Sequence, residues 1–100
     1  MDVLEFQKLC LSIIQKIDKK KSIDRTKELS ISQIIEELGE LAKEVNRKKL
    51  RNMNPKKSDL EDEFADVILL LLDLAQSFDV NLEKSVKSKI ETLKQRHNIL

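Results

Sequence analysis

SDLEDEFADVILLLLDLAQSF, residues 58–78, sets its apolar side chains at Leu60, Phe64, Val67, Ile68, Leu71, Ala75 and Phe78, the three-to-four residue spacing of an α-helix. Ser58 followed by Glu61 has the form of a capping box and predicts that the helix starts there. From Val67 to Leu72 every residue is apolar, so the helix is apolar all round and calls for packing on every side. The run stops at Asp73, far short of the roughly 20 residues that cross a bilayer, so it reads as core. On the same helix Glu63 and Asp66 are i,i+3 neighbours, and their face continues as Leu70 and Leu74. Two carboxylates are therefore expected in a buried environment.

Outward from this stretch the same periodicity recurs. Ser30 with Gln33 forms a second capping box before Ile31, Ile34, Ile35, Leu38, Leu41, Ala42 and Val45, which predicts a helix running to about Leu50. Asp2 and Glu5 form another before Leu4, Phe6, Leu9, Cys10, Ile13, Ile14 and Ile17. Asn81 can cap a last helix carrying Leu82, Val86, Ile90 and Leu93. Asp18 to Leu29 is highly charged and weakly periodic, which suits a solvated connection, and Asn52 to Lys57 holds the single proline. Four helices on short links predict an all-α, four-helix bundle-like domain over residues 1–100.

Composition agrees with that class. One Gly, one Pro and no Trp or Tyr leave little for strands and their turns. A 100-residue chain buries only roughly two-thirds of its unfolded surface, so a homodimer or homotetramer is expected to complete the core. The net charge of +1, with no aromatic residues interleaved among basic ones, excludes nucleic acid as the expected partner. No helix pairs a basic face with exposed large aromatics, which sets aside a membrane surface. Cys10 is the single cysteine, expected as a buried thiol, and Asp2 and Glu5 do not resemble a secretory leader. A cytoplasmic protein is the expectation.

The acids carry the chemistry. Glu36, Glu37 and Glu40 crowd within about one turn beside the apolar stripe of their helix, which destabilises it unless cations such as Lys43, Lys48 or a metal compensate. Glu63 and Asp66 on a helix that is otherwise apolar call for a partner, because an unpaired buried carboxylate costs several kcal/mol or stays neutral. Mg²⁺, with Mn²⁺ as its substitute, is the natural one: a hard cation that takes carboxylate oxygens and shares them with substrate phosphates. No His or Cys cluster argues for zinc. The bland alternative is that these faces simply meet water or pair with lysines.

Glu36-Glu37-Leu38-Gly39-Glu40, followed after 22 residues by Glu63-Phe64-Ala65-Asp66, resembles the EExxE and ExxD motif of MazG-like nucleotide pyrophosphohydrolases, over roughly Ser30 to Asp79. The resemblance implies an all-α bundle, assembled as dimers or tetramers, that uses Mg²⁺ to cleave a nucleoside triphosphate to the monophosphate and pyrophosphate. It implies Glu37, Glu40, Glu63 and Asp66 as metal ligands. Glu36 would be a further ligand or help activate the water that attacks the α-phosphorus, so Glu36 and Glu37 are the catalytic candidates. Lys89 and Arg96 of the last helix are the substrate-binding candidates for the phosphates, although exposed basic residues on a terminal helix are most often solvated surface. Among the three Phe residues, all on apolar stripes, Phe6 is the one to test for base contact. Gly39, mid-helix, is expected to admit a neighbouring helix closely.

Two other readings compete. Phosphoribosyl-ATP pyrophosphatase of histidine synthesis has related paired acids, but Gly39 falls inside EELGE and no His follows Asp66 in VILLLLDLA, where that family often has one. A non-catalytic helical dimer acting as a partner-binding module is the rival from a different class.

Overall fold

Asp2 opens the first helix, α1 (Val3–Lys21), by accepting the Glu5 amide on Oδ1 at 2.8 Å, as its position in the sequence implies. The computed structural model describes residues 1–100 as five helices and no strand: α1, α2 (Lys27–Val45), the short α3 (Arg47–Arg51), α4 (Lys57–Ser77) and α5 (Leu82–Arg96). The all-α class holds. The boundaries differ from expectation at four places, each with a local cause.

The charged run after Ile17 continues α1 to Lys21, where Lys19, Lys20 and Lys21 complement the negative end of the helix dipole and Ser22 closes it in the left-handed region. The connection therefore shrinks to residues 22–26. Thr26, not Ser30, caps α2: its Oγ1 accepts the Leu29 amide at 3.1 Å, and the Ser30 amide is already bonded to the Thr26 carbonyl. Asn46 folds its side-chain amide back onto the Ala42 carbonyl at 2.8 Å and ends α2, so residues 47–51 form a separate α3. Ser58 lies inside α4, whose first residue is Lys57 and whose start carries no side-chain cap. Asn81 caps α5 as expected, accepting from the Lys84 amide at 3.2 Å.

Helix α4 lies between α1 and α2 and runs antiparallel to both. The Lys27 ammonium at the start of α2 donates to the Ser77 carbonyl at the end of α4, and Arg47 just beyond α2 reaches Asp59 at the start of α4. On the other side Gln7, fully buried, donates to the Val80 carbonyl at 2.6 Å and to Gln76 at 3.4 Å, while its Oε1 accepts the Leu82 amide at 2.9 Å. That one side chain ties α1 to the turn between α4 and α5. Helix α5 packs chiefly on α1.

The core is small: Cys10, Ile14, Ile34, Val67, Leu74 and Ala75, with four buried polar residues, Gln7, Asp18, Ser30 and Asp73. Burial, with Asp73 nearby, pushes the Cys10 thiol up. Within one chain Phe64, Ile68 and Leu71 of α4 face outward, as do Ile31, Ile35 and Leu38 of α2 and Phe6, Leu9, Ile13 and Ile17 of α1. The radius of gyration is 16.4 Å, against about 13 Å for a closed 100-residue domain. Gly39 admits no close neighbour within the chain, since a Cβ there would meet nothing within 4 Å. No helix is long and apolar enough to cross a membrane.

Candidate metal centre

The antiparallel register of α2 and α4 sets one polar stripe against another. On α2 the stripe is Ser30, Gln33, Glu37, Glu40 and Glu44; on α4 it is Glu63, Asp66, Leu70, Asp73 and Ser77, each spaced by alternating threes and fours. Where the stripes meet, carboxylate oxygens of Glu37, Glu63 and Asp66 all lie within 4.8 Å of one another. Glu63 Oε2 is shielded from solvent and has no hydrogen-bond partner in the protein. Asp66 is exposed and Glu37 and Glu63 are half-buried, so the acids sit at the mouth of the seam, shallower than the sequence implies.

Desolvation, then the charges of Asp66, Glu63, Glu40 and Glu36, raises the Glu37 carboxyl above its ordinary value. The Glu63 carboxyl is raised in the same way, by desolvation and then by Asp66, Glu40, Asp62 and Glu44. Like charges held together at the cost of their own ionisation would be relieved by a cation. The donor set is all oxygen, which fits Mg²⁺ or Mn²⁺, and the unpartnered Glu63 Oε2 fits a ligand atom.

Two clefts flank the three acids. The larger, about 460 Å³, brings Glu36, Glu37 and Asp66 together with Arg25 and Lys21 under walls of Ile14, Ile17, Ile23, Leu69 and Leu70. The other, about 240 Å³, is wholly polar and holds Glu63, Glu40 and Glu44 against Lys43, Arg47 and Arg51. Glu40 thus lies one step from the triad, its carboxylate 3.4 Å from Lys43 in an exposed pair that contributes little to stability. Arg47 bridges Glu44 at 3.2 Å and Asp59 at 3.5 Å, and its Nε is buried without a partner.

Of the residues singled out in the sequence, the structure brings Glu37, Glu63 and Asp66 together and leaves Glu36 and Glu40 in the two flanking clefts. It does not bring Lys89 and Arg96 there within one chain: both are exposed on α5, and neither lines a cleft with the acids. Phe6 faces outward from α1, also outside both clefts. Sequence reasoning named Lys43 beside the acids but missed Arg47 and Arg51. It also missed Arg25, which donates from Nε to Asp18 Oδ2 at 2.7 Å, from Nη2 to Asp18 Oδ1 at 3.1 Å, and from Nη1 to Gln33 Oε1. Stripe spacing could have pointed to Gln33, seven residues before Glu40, and to Asp73, seven after Asp66, but nothing local marked Arg25 or Asp18.

Over 60 residues the chain is 40% identical to "Uncharacterized protein YpjD" of Bacillus subtilis (strain 168), an alignment covering 55% of this chain and 52% of that protein. The chain thus spans about half the length of the curated relative it matches. No solved structure matches. Residues 25–100, which include every acid of the site, match the MazG nucleotide pyrophosphohydrolase domain, and the chain belongs to that family.

Proposed function

We propose that this chain hydrolyses a nucleoside or deoxynucleoside triphosphate to the monophosphate and pyrophosphate, with Glu37, Glu40, Glu63 and Asp66 as the ligand set of Mg²⁺ or Mn²⁺. The observation that carries the reading is the convergence of three carboxylates from two helices within 4.8 Å, one of them with a shielded, unpartnered oxygen. The metal, when bound, would supply charge neutralisation at the phosphates.

The remaining steps belong to the chain's own residues. Water adds to the α-phosphorus, the bond from that phosphorus to the bridging oxygen breaks, and pyrophosphate leaves. The proton released by water goes to a carboxylate, for which Glu36 and Glu37 are the candidates. The polar cleft with Lys43, Arg47 and Arg51 suits the β- and γ-phosphates, and the apolar-walled cleft suits the nucleoside. Lys89 and Arg96 reach phosphate in this reading only from α5 of a second copy.

A second copy is itself part of the proposal. Burying one Ile, Leu or Phe side chain is worth about 1.5–3 kcal/mol, and Ile31, Ile35, Leu38, Phe64, Ile68 and Leu71 are all left outward in one chain. A homodimer or homotetramer that covers these faces would complete the bundle. The test is anion-exchange analysis of nucleoside triphosphates and phosphoribosyl-ATP incubated with protein and Mg²⁺ or with EDTA. Mg²⁺-dependent release of monophosphate and pyrophosphate is the expected result. Cleavage confined to phosphoribosyl-ATP would replace the substrate class, and cleavage of nothing would overturn the reading in favour of a binding module.

A further inference from the structure

Asp73 is 2% exposed, yet its Oδ1 has no hydrogen-bond partner in the protein. An unpaired buried polar atom of this kind costs about 1–3 kcal/mol, more when charged, so its persistence asks for an occupant. Asp73 lines a cavity of about 180 Å³ together with Ser30, itself 3% exposed, Asp18, Arg25 and Lys27. An apolar cavity of about 150 Å³ accepts benzene, so this one has the size of a single heterocycle. Ile14, Asp18 and Arg25 line both this cavity and the cleft that reaches Glu37 and Asp66, which makes the two spaces neighbours along one groove.

Helix register sets the separation. Asp66 and Asp73 are seven residues apart on one face of α4, about 10.5 Å along its axis, and Glu37 and Ser30 are seven apart on the facing stripe of α2. That span is the reach of a ribose and one ring from a phosphate held at the acids. A buried carboxylate oxygen accepts from an amino group and repels a carbonyl. Gln33, whose Oε1 accepts from Arg25, keeps its amide N–H groups free to donate to a ring acceptor in the adjoining cleft.

Resting on the hydrolase reading above, we propose that this cavity is the base subsite and that Asp73 selects bases bearing an exocyclic amino group over their oxo counterparts. Arg25 is the positioning residue: it holds Asp18 and Gln33 and stands beside Asp73. Matched pairs probe the contact, because dCTP and dUTP differ in amino against oxo at one ring carbon and in the proton on the adjoining ring nitrogen, as do ATP and ITP; Asp73→Asn then separates the exocyclic contact from that of the ring nitrogen.

The experiment measures kcat/KM for both pairs with Mg²⁺, and in parallel the calorimetric affinities of the products dCMP and dUMP. A preference of tenfold or more for the amino member of a pair is expected, with dCMP binding more tightly than dUMP by a similar factor. Asp73→Asn, which is isosteric and presents an amide N–H to a carbonyl, should shrink or invert the ratio while the Mg²⁺ affinity stays unchanged; Ser30→Ala serves as a second probe. Hydrolysis with amino and oxo members within twofold would overturn the inference and leave the hydrolase reading standing. If no triphosphate is cleaved, the hydrolase reading fails, and the inference is then decided by the monophosphates: no difference between dCMP and dUMP, or no binding of either, overturns it as well.

Discussion

Arg25→Ala is the substitution whose effect can be worked most fully from the geometry. The guanidinium makes a forked contact with both Asp18 oxygens, at 2.7 and 3.1 Å, and its side chain and that of Asp18 are 15% and 10% exposed. Breaking a buried pair from one side costs about 3–5 kcal/mol because the other charge is left stranded. Residual exposure and an effective dielectric near 20 reduce this to roughly 2–4 kcal/mol. For a chain of this length that lowers the melting temperature by roughly 10–25 °C. Burial raises the Asp73 carboxyl above its ordinary value, and Arg25 is the main influence pulling it back. Without Arg25 its native value climbs further above the unfolded one, so the ionised form weighs more heavily against the fold near neutral pH. The deficit should therefore shrink as the pH falls from 7 toward 5. Urea unfolding followed by circular dichroism, at one protein concentration and two pH values, measures both effects. A double-mutant cycle with Asp18→Leu should return a coupling of about 2 kcal/mol. Strict additivity, or a loss below about 0.5 kcal/mol at pH 7, would refute the reasoning.

Glu37→Gln and Asp66→Asn should each abolish turnover and weaken Mn²⁺ binding at least tenfold by paramagnetic titration while the far-ultraviolet spectrum stays native. Because Glu37 and Glu63 are both raised, their ionised forms are disfavoured in the metal-free fold; metal-free protein should gain stability as pH falls from neutrality toward the unfolded glutamate value of about 4.3, and Mg²⁺ affinity should fall over the same window. Calorimetric titrations at pH 7.5 and 5.5 check the second effect, and a pH-independent affinity would contradict it. Ile35→Asp, at a side chain left 63% exposed in one chain, should dissociate the assembly by light scattering; an unchanged mass would show that this face is not an interface. Gln7→Ala strands the Val80 carbonyl and the Leu82 amide and should cost about 2–4 kcal/mol, read by urea unfolding, with faster hydrogen exchange confined at first to the turn before α5.

The legible parts of this fold were those written locally. The run from Val67 to Leu72 fixes a helix whatever surrounds it, and acids three and four residues apart on two helices announce a shared site before any distance is known. Helix starts were less legible because S/T-x-x-E/Q patterns are common, and the choice among them depends on which turn finds partners. Thr26 won over Ser30 because Ser30 is buried against the seam and its amide is already helical. The network of Asp18, Arg25, Gln33 and Asp73 was illegible for a different reason: its members lie on three helices and a loop, and only the packing brings them together. Asp73 in the sequence reads merely as the end of an apolar run.

The arrangement inverts the usual order of a helical domain, and the inversion explains where the chemistry sits. In one chain the inward stripes of α2 and α4 carry Glu37, Glu40, Glu63, Asp66 and Asp73, while Ile31, Ile35, Phe64 and Ile68 face out. A three-helix layer with so small an apolar core is weakened by its seam, because carboxylates set against one another oppose folding. On the function proposed above, two things would offset that repulsion: a cation among the acids, and apolar burial on the outer faces against another copy. The first makes metal binding and stability one equilibrium, so that Mg²⁺ should raise the melting temperature as well as enable turnover. The second would make the rigidity of the site depend on assembly, since covering the outer faces would brace the separation of α2 and α4 on which the 4.8 Å cluster rests. A dissociated variant such as Ile35→Asp should consequently bind Mg²⁺ more weakly although no acid has been touched. Equal affinity in the dissociated and assembled forms would mean that the seam holds its own geometry.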